Sequence, residues 1–219
     1  MSISLDGFVA GPEQSLETPL GVGGIELHHW HIGDSIHEAD VRARDSLMKR
    51  RGAFVMGRNM FGPIRGDWDE DWRGWWGNEP PYHAPVFVLT HYPHEPIEMN
   101  GGTTFHLVTE GFDAALERTR AAGDGLGVDI VGGASTVRQA LAAAVIDELL
   151  LDIVPVLVGT GDRCSTGWTT PANRSRSCMP RTRRTCAIAS AADSTDTQAD
   201  LSGDLHQSHR VPLRRGSLP

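Results

Sequence analysis

The feature that most constrains this chain is a series of short, continuous apolar runs that alternate with segments of helical periodicity. Ala53-Phe54-Val55-Met56, Pro85 to Thr90, Thr103 to Thr109, Gly127 to Val131 and Leu149 to Val158 each predict a strand. Ile3 to Ala10 predicts a first strand, ended by Gly11-Pro12. About His37 to Arg51, Gly111 to Ala122 and Ala134 to Ala144 predict helices. Strands that lack polar alternation are buried on both faces, as in parallel sheets covered by helices. The expected fold is therefore α/β, with a mostly parallel central sheet flanked by helices. Glu13 to Gly33 is too long for an ordinary connection and is a candidate functional loop. Gly62 to Pro85 carries Trp68, Trp72, Trp75 and Trp76, which are expected to pack over one side of the sheet.

The alternation stops near Arg163, and composition changes with it. All three cysteines (Cys164, Cys178, Cys186) follow that point, while every Phe, Tyr and Glu precedes it. The 56 residues from Cys164 hold 8 Arg, 4 Asp and 15 Ser or Thr, so they carry a formal charge of +4. The chain's net charge of −8 thus leaves −12 on the first 163 residues. A polar segment without apolar periodicity cannot offset the entropy of ordering it. The expectation is one domain over residues 1–163 and a tail over 164–219 that is disordered or translated in a shifted frame. Codons for Cys164 to Thr170, read one nucleotide earlier, permit Leu-Phe-Asp-Gly-Leu-Asp-Asp.

The acidic balance disfavours nucleic-acid binding, which normally shows a basic face. No run of eighteen apolar residues predicts a membrane span, and Met1 to Asp6 lacks the features of a signal peptide. A cytoplasmic protein that binds a small molecule is expected. The cysteines are too few for a disulfide scaffold and lack metal-ligand spacing. His28, His29 and His31 sit in a loop without a spaced acidic partner, so no metal is assigned to them.

Three strand ends carry groups suited to an anionic ligand. Gly132-Gly133 closes one strand, and Ala134, Ser135 and Thr136 open the next helix, whose N-terminus suits phosphate or serves as a tight turn. Gly57-Arg58 ends a second strand and Thr90-His91 a third. In open parallel sheets ligands bind beyond the carboxyl ends of strands. Arg58 has the planar fork that pairs with phosphate oxygens. Asp6 lies within an apolar strand and needs hydrogen-bond partners or a cleft; it reads equally as a turn carboxylate and as a substrate contact.

Several of these segments together resemble the dihydrofolate-reductase-like family: Ser4-Leu5-Asp6-Gly7-Phe8-Val9-Ala10-Gly11, Met56-Gly57-Arg58-Asn59-Met60-Phe61, Val88-Leu89-Thr90-His91, Val131-Gly132-Gly133-Ala134, and Asp147-Glu148-Leu149 through Gly159-Thr160-Gly161. The nearest group is that of the reductase domain of the bifunctional riboflavin-biosynthesis deaminase/reductase. The resemblance implies an NADPH-dependent reductase, frequently homodimeric, that acts on a phosphoribosylamino-pyrimidine or a related pyrimidine or pterin. It places Gly57, Arg58, Thr90 and His91 near the adenosine 2′-phosphate, and Gly132 to Thr136 at the pyrophosphate. It sets Asp6 near nicotinamide and substrate, as the catalytic position. The proton-donating acid of folate reductases would fall near Val41, with Asp40 only adjacent, so folate reduction is not expected. The alternative is an inactive nucleotide-binding pseudoenzyme with a damaged C-terminus.

Overall fold

A computed structural model describes residues 1–32, 36–47, 51–62, 66 and 71–164, and the strand at 184–189. The elements in chain order are β1 (Ser2–Ser4), α1 (Glu38–Leu47), β2 (Ala53–Gly57), α2 (Arg58–Phe61), β3 (Pro85–Leu89) and β4 (Ile97–Glu98). Then follow β5 (Thr104–Val108), α3 (Phe112–Ala122), β6 (Val128–Gly132), α4 (Ala134–Ala142), β7 (Glu148–Val154) and β8 (Arg184–Ala189). Five strands form a sheet of order β4-β5-β3-β2-β6, parallel except for the short edge strand β4. A second sheet, β1-β7-β8, pairs β1 parallel and β8 antiparallel to β7.

The central strands are buried on both faces, which is why their sequences are continuously apolar. On one face Phe54, Met56, Val86, Val88 and Phe105 pack with Phe61 and Tyr82, and Trp72 and Trp76 lie against them. The Trp76 ring stacks on Phe105 at 5.8 Å, and the Trp72 indole donates to the Phe61 carbonyl at 3.0 Å. Trp72 and Trp76 thus cover one side of the sheet; Trp68 lies outside the described residues. On the other face Ala53, Phe87 and Val108 pack with Ala115 of α3. Phe112, Leu116 and Ala140 join α3 to α4.

Two strands are shorter than their sequences predict. β1 stops at Ser4 because the chain turns tightly, with Gly7 N–H donating to the Ser4 carbonyl at 3.1 Å and Ser4 N–H to the Phe8 carbonyl at 2.8 Å. The chain then rejoins the loop after β7 through an antiparallel bridge of Ala10 with Asp162. β7 ends at Val154 because Pro155 has no N–H to continue a ladder. One strand was not expected from sequence: residues 184–189 pair with β7 from Arg184↔Ile153 to Ala189↔Glu148. Such pairing is made by backbone groups, so it requires no alternation of apolar side chains. Among the described residues, no helix is long and apolar enough to cross a membrane.

Candidate functional site

Register brings the ends of the parallel strands together. Gly57 of β2 pairs beside Leu89 of β3, and Met56 beside Gly132 of β6, with a bulge after Val55 that advances β6 by a residue. The Gly57, Thr90 and Gly132-Gly133 positions therefore lie along one rim of the five-stranded sheet.

Glycine is required at this rim for two separate reasons. Gly132 (φ 142°) and Gly133 (φ 82°) adopt backbone conformations that side-chain-bearing residues rarely take. Gly57 has an ordinary φ of −83°, but a Cβ there would lie 2.7 Å from Thr136 Oγ1. A Cβ on Gly133 would come within 3.5 Å of the Gly57 Cα. The two backbones thus meet directly, as a glycine cradle does around a ligand's phosphates. Gly133 provides no side-chain cap to α4, so the N–H groups of Ala134, Ser135 and Thr136 have no acceptor within the helix. Their dipoles make this end favourable to anions. Ser135 is exposed, while Thr136 is buried beneath the cradle.

Arg58 stands at the adjacent corner. Its Nη1 donates to Thr90 Oγ1 at 3.0 Å, and the backbone N–H of Tyr92 donates to the same hydroxyl at 3.1 Å. The guanidinium carbon lies 5.9 Å from the Tyr92 ring centre, within cation–π range. Buried Thr90 thereby fixes the direction of the arginine fork, and His91 stays exposed beside it. Neither Tyr92 nor the hydroxyl relay is signalled by a motif.

Asp6 belongs to a different constellation. Its carboxylate accepts from Ser4 Oγ at 2.5 Å, Val158 N–H at 3.1 Å and Gly159 N–H at 2.7 Å. The Ser4 hydroxyl, followed by the two backbone amides, holds the carboxyl down at about 2. Asp6 therefore clasps the turn after β1 to the loop after β7, and it stays ionised near neutrality. Next to it, the Arg163 guanidinium carbon lies 4.0 Å over the Phe8 ring, and Arg138 of α4 donates to the Arg163 carbonyl at 2.5 Å. In the sequence Arg163 marks only the change of composition.

The long loop after the first strand closes on itself. Gly11 N–H donates to the Leu20 carbonyl and Val22 N–H to the Pro12 carbonyl, both at 2.8 Å. Asn59 beside Arg58 donates to Gln14 Oε1 at 3.0 Å, which ties the loop to the rim. Further along, a single hydrogen bond of 2.9 Å joins the His28 and His31 rings. Burial pushes His28 down to about 4. Among the described residues, no group of three His, Cys, Asp or Glu side chains is placed to hold a metal ion.

A sequence model described as the RibD C-terminal domain matches residues 1–178. A search of curated proteins finds no match. Among solved structures, a putative riboflavin biosynthesis protein from Shewanella sp. PV-4 is 22% identical, with a TM-score of 0.53 over 86% of this chain and 95% of its own. The Saccharomyces cerevisiae riboflavin biosynthesis reductase Rib7 is 14% identical, with a TM-score of 0.51 over 85% of each chain. A diaminohydroxyphosphoribosylaminopyrimidine deaminase/5-amino-6-(5-phosphoribosylamino)uracil reductase from Thermotoga maritima is 12% identical, with a TM-score of 0.49 over 86% of this chain and 54% of its own. The first two share the fold, which is the dihydrofolate-reductase-like α/β architecture expected from the motifs. With the family match spanning the whole domain, the chain belongs to the RibD C-terminal domain family, whose members include reductases of riboflavin biosynthesis.

Proposed function

We propose that the protein is an NADPH-dependent reductase that transfers hydride to a phosphoribosylamino-pyrimidine or a related pyrimidine. One observation carries this reading: the glycine cradle of Gly57, Gly132 and Gly133 adjoins an arginine held by a buried threonine. The cradle and the α4 N-terminus fit a pyrophosphate, and Arg58 with Thr90 and His91 fits the extra 2′-phosphate. NADPH, when bound, supplies the hydride to a C=N or C=O carbon. The chain's share is to fix both reactants and exclude alternative geometries.

Asp6 enters this reading as a positioning residue. Its bonds to Val158 and Gly159 fix the loop after β7 against the turn after β1. A carboxyl held at about 2 does not deliver a proton near neutral pH. That same observation favours the second reading, a nucleotide-binding protein without turnover. Fluorescence titration with NADPH, followed by NADPH oxidation with candidate pyrimidine and pterin substrates, separates the two. Turnover supports the reductase, binding alone supports the second reading, and absence of binding overturns the cofactor assignment.

The reading includes a homodimer in the cytoplasm, as the family resemblance implies. Leu5 and Leu157 are both exposed, and Leu5 N–H donates to the carbonyl of Val156, the residue before Leu157, which supports a covered face there. It also keeps the division at Arg163, supported by the change of composition. Sequencing the DNA around codon 163 tests the shifted frame, which an intact frame there would refute.

A further inference from the structure

We propose that a cavity at the foot of β6, between α3 and the turn into β7, binds a free amino acid with an aliphatic side chain. The proposal is independent of the reductase reading, because the cavity stands apart from the glycine rim. Val128, on its wall, pairs beside Ala53, whereas Gly132 of the rim pairs beside Met56 at the other end of the same strand. From Val128 to Gly132 the strand runs roughly 13 Å.

The cavity has a volume of about 300 Å³, at the lower end of the range for small-molecule sites. Its floor is aliphatic. Leu116 of α3 is buried there, and Val128, Ile130 and Val145 are half-buried around it. Val128 and Ile130 are two residues apart on β6 and so face the same side of the sheet. On that side Ile130 and Val145 pack against the cluster that contains Leu116. An aliphatic side chain would cover the apolar surface left half-open there.

Two charged side chains of opposite sign complete the lining. Arg120 lies one turn beyond Leu116 on the same face of α3. Asp147 immediately precedes β7. Both are exposed and line the same cavity, yet they form no ion pair with each other or with any other described residue. A guanidinium and a carboxylate that share a cavity without meeting leave room for a ligand carrying both opposite charges. An α-amino acid does so: its carboxylate suits the Arg120 fork, its ammonium Asp147, and its side chain the floor. A simple carboxylate would leave Asp147 unanswered, and a simple amine would leave Arg120 unanswered.

Calorimetry on the full chain tests this with L-leucine, its half-analogues 4-methylpentanoate and 3-methylbutylamine, and glycine. Leucine should bind the parent, and glycine, which lacks the side chain, should not. Each half-analogue should bind the parent about fivefold more weakly than leucine, the scale of an exposed charge pair. Arg120→Gln and Asp147→Asn should each weaken leucine by about the same factor. Both side chains are exposed, so urea midpoints equal to the parent's should show the variants folded. The proposal is overturned if leucine does not bind the parent, if glycine or a half-analogue binds as tightly, or if either folded variant keeps the parent's affinity. NADPH takes no part in the experiment, so such a failure leaves the reductase reading standing.

Discussion

Replacing Thr90 by Val probes the arginine corner without enlarging the side chain. Thr90 is 8% exposed, and its hydroxyl accepts from both Arg58 Nη1 and the Tyr92 N–H. The Tyr92 amide lies at an exposed turn, where water can replace the lost acceptor at little cost. The bond from Arg58 is the costly one, since a hydrogen bond to a charged group contributes about 1.5–3 kcal/mol. If the fork is aimed at a 2′-phosphate, that energy is lost from NADPH binding, which should weaken about 10- to 100-fold. NADH has no 2′-phosphate and should change less than about threefold. Titrating both cofactors against parent, Thr90→Val and Arg58→Gln gives the ratio directly. Equal weakening of the two cofactors, or no change in either, would refute the assignment of Arg58 to the 2′-phosphate.

Three further outcomes follow from the geometry. Gly57→Ala places a Cβ 2.7 Å from Thr136 Oγ1 and should cost about 1–3 kcal/mol of stability and weaken NADPH binding. Adding Thr136→Ala should recover part of both, and a Gly57→Ala chain that melts and binds like the parent rules out the close approach. The lowered Asp6 carboxyl supplies stability that is complete above its ordinary value near 3.8 and is lost as pH falls toward about 2. Urea unfolding of parent and Asp6→Asn should therefore differ above pH 4 and converge toward pH 2; parallel curves would exclude the clasp. Half-buried His28, lowered from 6.5 to about 4 chiefly by desolvation, favours the neutral ring in the folded state. Its contribution is present above pH 6.5 and falls as the pH drops toward 4, making the parent about 2 kcal/mol less stable at pH 5 than at pH 7. His28→Phe should flatten that slope, and an unchanged slope would place the acid sensitivity elsewhere.

What could be read from sequence follows from the range of the forces involved. Phe54, Met56, Val86 and Val88 are buried because a two-sided sheet demands apolar residues at every position, and that demand is visible within five residues. Gly132-Gly133 is equally local, since the backbone there turns through angles that only glycine takes readily. Gly57 already differs: its own φ is ordinary, and its requirement comes from Thr136, 79 residues away. Arg58 carries phosphate chemistry in its type alone, but its direction depends on a hydroxyl 32 residues later. Asp6 is the extreme case. Sequence shows that a carboxylate in an apolar strand needs partners, and either a ligand or the chain itself could supply them. The chain supplies them, from Val158 and Gly159 more than 150 residues on. Local chemistry therefore identifies which residues carry special groups. Whether a group serves the ligand or the scaffold is decided by distant backbone, which is why Arg163, with its ring at Phe8 and its tether at Arg138, has no signal of its own in the sequence.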